Sequence, residues 1–256
     1  MRTLPNIRNR AESWSPVRRH HAWLATWLQG RRRGRVRAAK AAKGVPYGQM
    51  HFWPLTEMGG PRYDLIGSVN LTDHNSVNYY YYGGRAGAHF YAPMAQYLSC
   101  AGTLLRFQNP FSFSFWATVD NRYGDYVFVS KDSATYREFV IETGYDAVLT
   151  PYIYTPATGV LLYSGAPLTV GAWFQVAVTF DGARLTYYIN GAVNNFGFGT
   201  PTQTDTEFRL GARVYQGFEG YHNGALAEFR MWDRALSDLE IAQLYNHGNG
   251  LPNEVN

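Results

Sequence analysis

Two acidic side chains lie on one strand-like segment, where a pair of carboxylates could hydrolyse a glycosidic bond. Glu138 and Glu142 are four residues apart in the segment Arg137 to Thr143. Glycosidases hold their two carboxyl groups roughly 5 to 9.5 Å apart, whereas four residues of an extended strand span roughly 13 Å. The spacing therefore argues against hydrolysis, and we expect both side chains at the surface or on a rim.

Other residues that could act as nucleophiles or metal ligands also lack the required pattern. No Gly-x-Ser-x-Gly motif is present, and Cys100 is the only cysteine, which excludes an intramolecular disulfide and is typical of a buried, inert thiol. The histidines have no metal-ligand spacing, so zinc is not expected. They are His20, His21, His51, His74, His89, His222 and His247. The sequence predicts no catalytic residue and no cofactor.

A cluster of aromatic and polar residues beside glycines could bind a glycan. Stacking rings next to amide and imidazole groups are what a sugar-binding rim needs. The candidate ligand-binding residues are Tyr215, Phe218, Tyr221, His222 and Asn223. The alternative is that these rings only pack against their own domain.

The first 43 residues form a basic arm that differs from the rest of the chain. They hold 10 Arg and 2 Lys against Glu12, a net charge of +11, whereas the remainder holds 11 basic and 18 acidic residues, a net charge of −7. A helix is predicted from about Val17 to Lys43. Such an arm docks on an acidic partner.

Tryptophans between the arginines give this arm an apolar face as well as charge, which favours docking on a protein. We therefore expect residues 1–43 to be ordered by partner subunits. The proposed partner-binding residues are Trp14, Arg18, Arg19, Trp23, Trp27, Arg31, Arg32, Arg33, Arg35 and Arg37. Nucleic acid is possible but not favoured, because no reader fold or stacking sheet accompanies the arm; simple solvated charge is the other alternative.

The chain has no segment that predicts export or membrane insertion. The apolar stretch from His21 to Leu28 is too short for a signal peptide and is followed by Arg31 to Arg33. No stretch approaches the roughly 20 apolar residues needed to span a bilayer. We expect a soluble protein without a conventional signal peptide.

Strands and tight turns must position these residues. Phe111, Phe113 and Phe115 alternate with serines, and Trp173 to Phe180 alternates in the same way. Asp181-Gly182 and Asn190-Gly191 predict hairpin turns. Strands are also predicted at 126–130, 137–143, 148–154, 159–163, 208–214 and 225–232, and Tyr79 to Tyr82 forms an aromatic strand either of whose faces could be core.

One short helix is predicted near the C-terminus. Ser237 is placed to cap it, Glu240 completes a capping box, and Leu236 can pack against Ile241. Gly248 is placed to end it.

Three segments resemble the LamG-like family of concanavalin A-type jelly rolls. They are Trp173 to Gly182 (WFQVAVTFDG), Tyr188 to Gly191 (YING) and Gly224 to Ser237 (GALAEFRMWDRALS). The resemblance covers roughly residues 107–250, and Phe52 to Glu57 with Arg62 to Asp64 is similar to the family's opening stretch. It implies an all-β, two-sheet antiparallel sandwich over residues 44–256, preceded by the basic, partly helical arm.

The resemblance leaves function open, because family members bind glycans, proteins or calcium, or only fill space. A calcium ion at the sandwich rim is possible, with Asp120, Asp125, Asp132 and Asp146 in suitable loops, but no residue matches a calcium motif.

Together these observations favour a non-enzymatic recognition or structural module. We expect it on a larger assembly, such as a phage virion decoration, capsid or tail protein, or another extracellular assembly, anchored by residues 1–43. One alternative is a free carbohydrate-binding lectin, and a second is a glycoside hydrolase of the same fold.

Overall fold

A computed structural model describes residues 44–104, 110–121, 126–135, 137–143, 151–155, 160–163, 167–199, 203–215 and 218–251. The arm of residues 1–43, with all its proposed tryptophan and arginine contacts, lies outside the described residues, as do Asp125 and Asp146.

The larger of two sheets in the described part of the chain has eight antiparallel strands. They are β1 (Gln49–Trp53), β3 (Asn78–Tyr82), β4 (Arg85–Phe90), β6 (Phe111–Ala117), β11 (Phe174–Phe180), β12 (Arg184–Ile189), β13 (Ala192–Phe198) and β17 (Gly224–Trp232). Their order is β13-β12-β11-β6-β17-β4-β3, and β1 pairs with the later half of β17. The long β17 is thus shared by β4 and β1 along one side and by β6 along the other.

The second sheet has seven antiparallel strands within the described residues. They are β2 (Thr72–His74), β5 (Tyr97–Cys100), β7 (Val127–Asp132), β8 (Arg137–Thr143), β9 (Pro151–Thr155), β10 (Val160–Tyr163) and β14 (Phe208–Leu210), in the order β10-β9-β8-β7-β14-β5-β2. A hairpin of β15 (Ala212–Tyr215) and β16 (Phe218–Tyr221) forms a separate two-stranded sheet, and Ser130 and Asp132 of β7 hydrogen-bond to β15. Short 3-10 turns occupy Ala92–Met94, Gly102–Leu104 and Asn246–Gly248. The predicted two-sheet sandwich is confirmed.

The main core fills the space between the two sheets, as the period-two patterns predict. Phe113 and Phe115 of β6 and Val178 of β11 meet Phe128 and Ile141 of the second sheet, all buried. Burying such side chains contributes about 1.5 to 3 kcal/mol each. The opposite face of β6 and β11 is also buried, so these strands lie between two apolar layers.

The second apolar layer is formed by the helix α1 (Asp238–Tyr245), packed on the outer face of the large sheet. Its capping box is confirmed: the Ser237 side chain accepts a hydrogen bond from the Glu240 amide, and the Glu240 side chain reaches back. Leu236 and Ile241 are buried in one cluster with Trp232. The helix ends at Tyr245 and not at Gly248, because Asn246 takes the left-handed conformation at the C-cap.

The two predicted hairpin turns differ in how they are made. Asn190 and Gly191 both have positive φ, 52° and 75°, as a two-residue turn requires. At the other turn only Gly182 has positive φ, 105°, and the Asp181 carboxylate accepts from the amides of Ala183 and Arg184 at 2.9 and 2.7 Å. Here aspartate acts through its side chain and not through its own backbone.

Several predicted strand limits change. The strand expected at 208–214 divides at Gly211 into β14 and β15, because Gly211 has φ 85° and lies against the Phe90 ring. The strand expected at 148–154 is β9, Pro151–Thr155; residues 144–150 lie outside the described residues. In β3, Tyr81 and Tyr82 are both exposed, since β3 is an edge strand with little packed over either face.

Glu138 and Glu142 are fully buried, so the prediction of surface or rim carboxylates is wrong. Each is paired with a cation: Lys131 Nζ lies 2.9 Å from Glu138 Oε2, and Arg213 Nε lies 2.9 Å from Glu142 Oε2. Period-two alternation puts both on one face but does not say what covers that face. A buried carboxylate is tolerated here because each has its own counter-charge.

Candidate functional site

A loop between β2 and β3 carries unusual backbone geometry at the edge of the sandwich. Asn75 and Ser76 have φ 64° and 60°, which is uncommon for residues other than glycine. The Asp73 carboxylate stabilises the loop by accepting hydrogen bonds from the backbone amides of Gly60 at 3.0 Å and Val77 at 2.9 Å. Residues kept in sparsely populated conformations by their surroundings cluster at ligand sites.

Gln96 fixes the same loop from the other side. Its buried amide donates to the carbonyl oxygens of Asn75 at 3.0 Å and Ser76 at 2.7 Å, and its oxygen accepts from the amide of Tyr91. Asn75 in turn donates to the carbonyl of Ala95. The loop is therefore preorganised rather than free to adapt.

A groove of about 660 Å³ lies between this loop, β4 and the Ala92–Met94 turn. Tyr91 and Met94 are 49% and 57% exposed and give it apolar surface. The full lining is Asn75, Ser76, Asn78, His89, Tyr91, Met94 and Gln96. A smaller depression of about 360 Å³ adjoins it across the same loop. Apolar surface with a few fixed polar groups is the usual composition of a binding site.

His89 and Asp120 form a hydrogen-bonded pair at the groove. His89 Nε2 lies 2.8 Å from Asp120 Oδ2, and both side chains are partly open to solvent. This hydrogen bond is the main reason that the pKa of Asp120 lies below its usual value, so Asp120 is anionic at neutral pH. Because a carboxylate only accepts, Nε2 of His89 carries the proton in this hydrogen bond.

Aromatic rings continue from His89 along the edge of the sheet. The Tyr80 ring lies 4.9 Å from the His89 ring and 6.0 Å from the Tyr82 ring, measured between centroids. Tyr82 is half exposed, and its carbonyl accepts from Trp173 Nε1 at 2.8 Å. We call Tyr82, Tyr80 and His89 the ring row.

Of the ligand-binding residues predicted from sequence, the structure places Asn223 beside this groove. Its Oδ1 accepts from the amide of Ala92 at 3.3 Å, and its carbonyl accepts from the amide of Asp120 at 3.0 Å. Tyr221 is half-buried and donates to Glu219; desolvation raises its pKa to about 12.

His222 is fully buried, so the structure does not put it on a binding rim. In an extended segment, neighbours point to opposite sides, and here His222 takes the inward side against Phe128 and Phe90. The backbones of Tyr215 and Phe218 pair in the β15–β16 hairpin. Their side chains lie outside the described part of the structure.

Sequence reasoning missed the groove residues from Asn75 to Gln96. Its only usable signal was the tyrosine run in β3, which predicted a strand without saying what it would face. The groove is built by pairing of β3 with β4 and by hydrogen bonds from Gln96 to Asn75 and Ser76, which lie 21 and 20 residues earlier in the chain.

The acidic residues considered for calcium do not form a cluster where they are described. Asp120 binds His89, while buried Asp132 accepts from Ser130 Oγ at 3.1 Å and pairs with Arg209 at 3.3 Å. Among the described residues no group of three or more His, Cys, Asp or Glu side chains is placed to hold a metal ion.

A sequence profile described as the concanavalin A-like lectin/glucanases superfamily matches residues 94–242. The chain belongs to this superfamily. Its lectin-like sandwich is the fold that the LamG-like resemblance predicted. No curated protein matches the sequence.

Solved structures with the same fold include parts of two enzymes and a binding domain. Domain 4 of an extracellular GH43 arabinanase from Geobacillus stearothermophilus, in complex with arabinotriose, is 17% identical with a TM-score of 0.56, over 76% of this chain and 96% of that one. The binding domain of Paraclostridial Mosquitocidal Protein 1 is 17% identical with a TM-score of 0.61, over 78% and 52%. Trypanosoma rangeli sialidase is 12% identical with a TM-score of 0.60, over 92% and 40%.

The chain therefore spans about half or less of the mosquitocidal and sialidase chains that it matches, and almost all of the arabinanase domain. At these identities the likeness concerns the fold, which enzymes and binding modules share. Among the described residues, no helix has the length and apolar character needed to cross a bilayer.

Proposed function

We propose that this protein recognises carbohydrate through the groove between the Asn75–Asn78 loop and the Ala92–Met94 turn, without cleaving its ligand. The observation that carries the proposal is the groove's composition: exposed Tyr91 and Met94 beside fixed amide, hydroxyl and imidazole groups. Sugars present apolar ring faces and many hydroxyls, and such a site offers a partner for each.

The comparisons support this proposal without deciding it. The arabinanase domain that matches most of this chain was solved with arabinotriose, and the mosquitocidal protein domain is named as a binding domain. The superfamily also contains glucanases, so its name alone does not separate binding from hydrolysis.

The described carboxylates near the groove and in the sheets favour binding over hydrolysis. Asp73 accepts from two backbone amides, and Asp120 is held by His89. Glu138, Glu142 and Glu228 are buried and each contacts a cation. Each of these carboxylates already has a structural partner, whereas a glycosidase needs two carboxyl groups facing its substrate.

A glycan array with the full-length protein tests recognition. We expect binding to at least one saccharide class, and Tyr91→Ala to weaken it about tenfold, since an aromatic contact contributes about 1 kcal/mol or more. Phe198→Ala, an exposed aromatic on β13 at the opposite edge of the same sheet, should leave binding unchanged. No saccharide bound, or equal loss in both variants, would refute the proposal. Release of reducing ends from the bound saccharide would refute the claim that the protein does not cleave its ligand.

We further propose that residues 1–43 anchor the sandwich to a larger extracellular assembly, such as a phage virion. The support is the net charge of +11 with three interleaved tryptophans, against −7 for the rest of the chain. Deleting residues 1–43 should abolish association with the assembly and leave glycan affinity unchanged. Assembly that survives the deletion would contradict the anchoring role and favour a free lectin.

A further inference from the structure

The charge around the groove restricts which saccharides it can accept. Apart from His89, its lining residues have uncharged side chains: Asn75, Ser76, Asn78, Tyr91, Met94 and Gln96. The Asp120 carboxylate lies at its border, bonded to His89, and disfavours a uronic acid, a sulfate or a sialic acid. Asp73 lines the adjoining depression but lies 3.6 Å from Arg62 Nη1, which offsets its charge. Recognition of an anionic sugar normally uses arginine or lysine.

The two arginines in this region, Arg62 and Arg85, are buried and bonded to other protein groups. Arg62 is fully buried, and its guanidinium donates to the carbonyls of Gly60 and Val77. Arg85 is buried over the Trp116 ring and paired with Glu228. Within the described residues, therefore, neither guanidinium is available to an anionic ligand in the groove.

The ring row gives the site an elongated shape. His89 belongs both to the groove lining and to the ring row, so the two surfaces are continuous. Tyr80 lies opposite Gly87 in the register of β3 with β4. A side chain at Gly87 is excluded because its Cβ would lie 2.4 Å from the Leu226 carbonyl oxygen, so position 87 adds no side chain beside the Tyr80 ring.

Polar groups along this surface match the hydroxyls of a sugar chain. His89 donates through Nε2 to Asp120, and its second ring nitrogen, Nδ1, adds another polar atom. Asn78 is exposed at the groove, beside His89 in the register of β3 with β4. Each successive sugar unit of an extended oligosaccharide could therefore contact an aromatic ring or hydrogen-bond to a polar group along this surface.

We propose that the groove and the ring row together bind a neutral, extended oligosaccharide, laid along Tyr82, Tyr80 and His89 and ending between Tyr91 and Asn75. This inference rests on the proposed carbohydrate recognition and adds the class of ligand and its path. The inference has two physical components. A sugar face is buried on Tyr80 and Tyr82, and the Asp120 carboxylate repels anionic sugars.

Calorimetric titration of the full-length protein tests both components. The probes are neutral oligosaccharides, namely arabinotriose, cellotriose, xylotriose and maltotriose, and anionic ones, namely trigalacturonic acid and sialyllactose. We expect at least one neutral trisaccharide to bind at least tenfold more tightly than either anionic probe. Tyr80→Ala should weaken that binding about tenfold, and Phe198→Ala should not; the melting temperature of each variant checks that it is folded.

The outcomes separate this inference from the proposed function. Tighter binding of an anionic probe would overturn the ligand class and leave carbohydrate recognition standing. Suppose that Tyr91→Ala loses binding of the neutral oligosaccharide while Tyr80→Ala is folded and binds it with unchanged affinity. That result would overturn the path along the ring row. Absence of binding to every probe and to the glycan array would overturn both proposals.

Discussion

At the scale of single residues, His222 shows how burial sets the ionisation of a side chain. It is packed among Phe90, Phe128 and Tyr126 with its surface fully covered. Desolvation lowers its pKa to about 3, against the opposing attraction of Asp120. The folded protein therefore keeps His222 neutral at pH values where an unfolded chain would protonate it.

His222 should make the protein acid-sensitive. Because its folded pKa is depressed, the unfolded state binds the extra proton between about pH 6.5 and the folded pKa, and stability falls as the pH drops through this window. Between pH 7 and pH 5 the wild type should lose about 2 kcal/mol more unfolding free energy than His222→Phe. Urea unfolding at both pH values measures this. His247→Phe, at an exposed position, is the control and should follow the wild type; identical losses in wild type and His222→Phe would contradict the account.

Cys100 is also governed by burial. It is buried at the end of β5 in the second sheet, and desolvation raises the pKa of its thiol to about 12. The prediction of a buried thiol is confirmed, and its inertness follows from the small thiolate fraction at neutral pH.

At the scale of elements, the Asn190–Gly191 turn joins local backbone preference to packing of the helix α1. Gly191 has φ 75°, and a Cβ there would lie 2.7 Å from Cβ of Tyr245, the last residue of the helix. The turn therefore needs glycine for its conformation and again for the close approach of α1.

Comparison with Gly171 separates these two requirements. Gly171 has φ 73°, but a Cβ there would meet nothing within 4 Å. Gly171→Ala should cost roughly 1 to 2 kcal/mol for the left-handed conformation alone. Gly191→Ala should cost clearly more, because Tyr245 must also move; chemical denaturation of both variants measures the difference. Equal losses of unfolding free energy in the two variants would mean that α1 shifts away from position 191 at no energetic cost.

The elements show where sequence reasoning works. Phe111 to Ala117 and Phe174 to Phe180 were predictable as strands because alternation is a local property. The helix start at Ser237 was predictable because capping involves residues three positions apart. Its end was not, since Asn246 and Gly248 can both adopt the left-handed conformation and the surrounding packing decides between them.

At the scale of the whole molecule, Lys131 joins segments that are far apart in the chain. Its ammonium group lies 2.9 Å from Glu138, and it also donates to the carbonyls of Gly102 and Thr204 at 3.4 and 3.2 Å. Glu138 completes the connection by accepting from the amide and hydroxyl of Thr204. One buried ion pair thus ties two strands to two connecting segments.

Removing one partner of this pair should be far more damaging than removing both. Lys131→Met should lower the unfolding free energy by about 3 to 5 kcal/mol, because it leaves the Glu138 carboxylate buried and uncompensated. The double variant Lys131→Met/Glu138→Leu should recover much of that loss. Urea denaturation of wild type, single and double variants measures the coupling. A double variant no more stable than Lys131→Met would show that the hydrogen bonds to Thr204 matter more than the charge.

The sequence by itself determined the strands at the centre of the sheets, the capped helix and the division of charge at residue 43, because alternation, turn chemistry, capping and composition are all local. The two-sheet sandwich was implied by the resemblance to the LamG-like family. Only the tertiary structure decided that Glu138 and Glu142 are buried, that His222 points inward and that Asn75, His89, Tyr91 and Gln96 line one groove. The physical reason is that burial and the meeting of side chains depend on which strand edge and which loop come to lie opposite each other, and no short stretch of sequence carries that information.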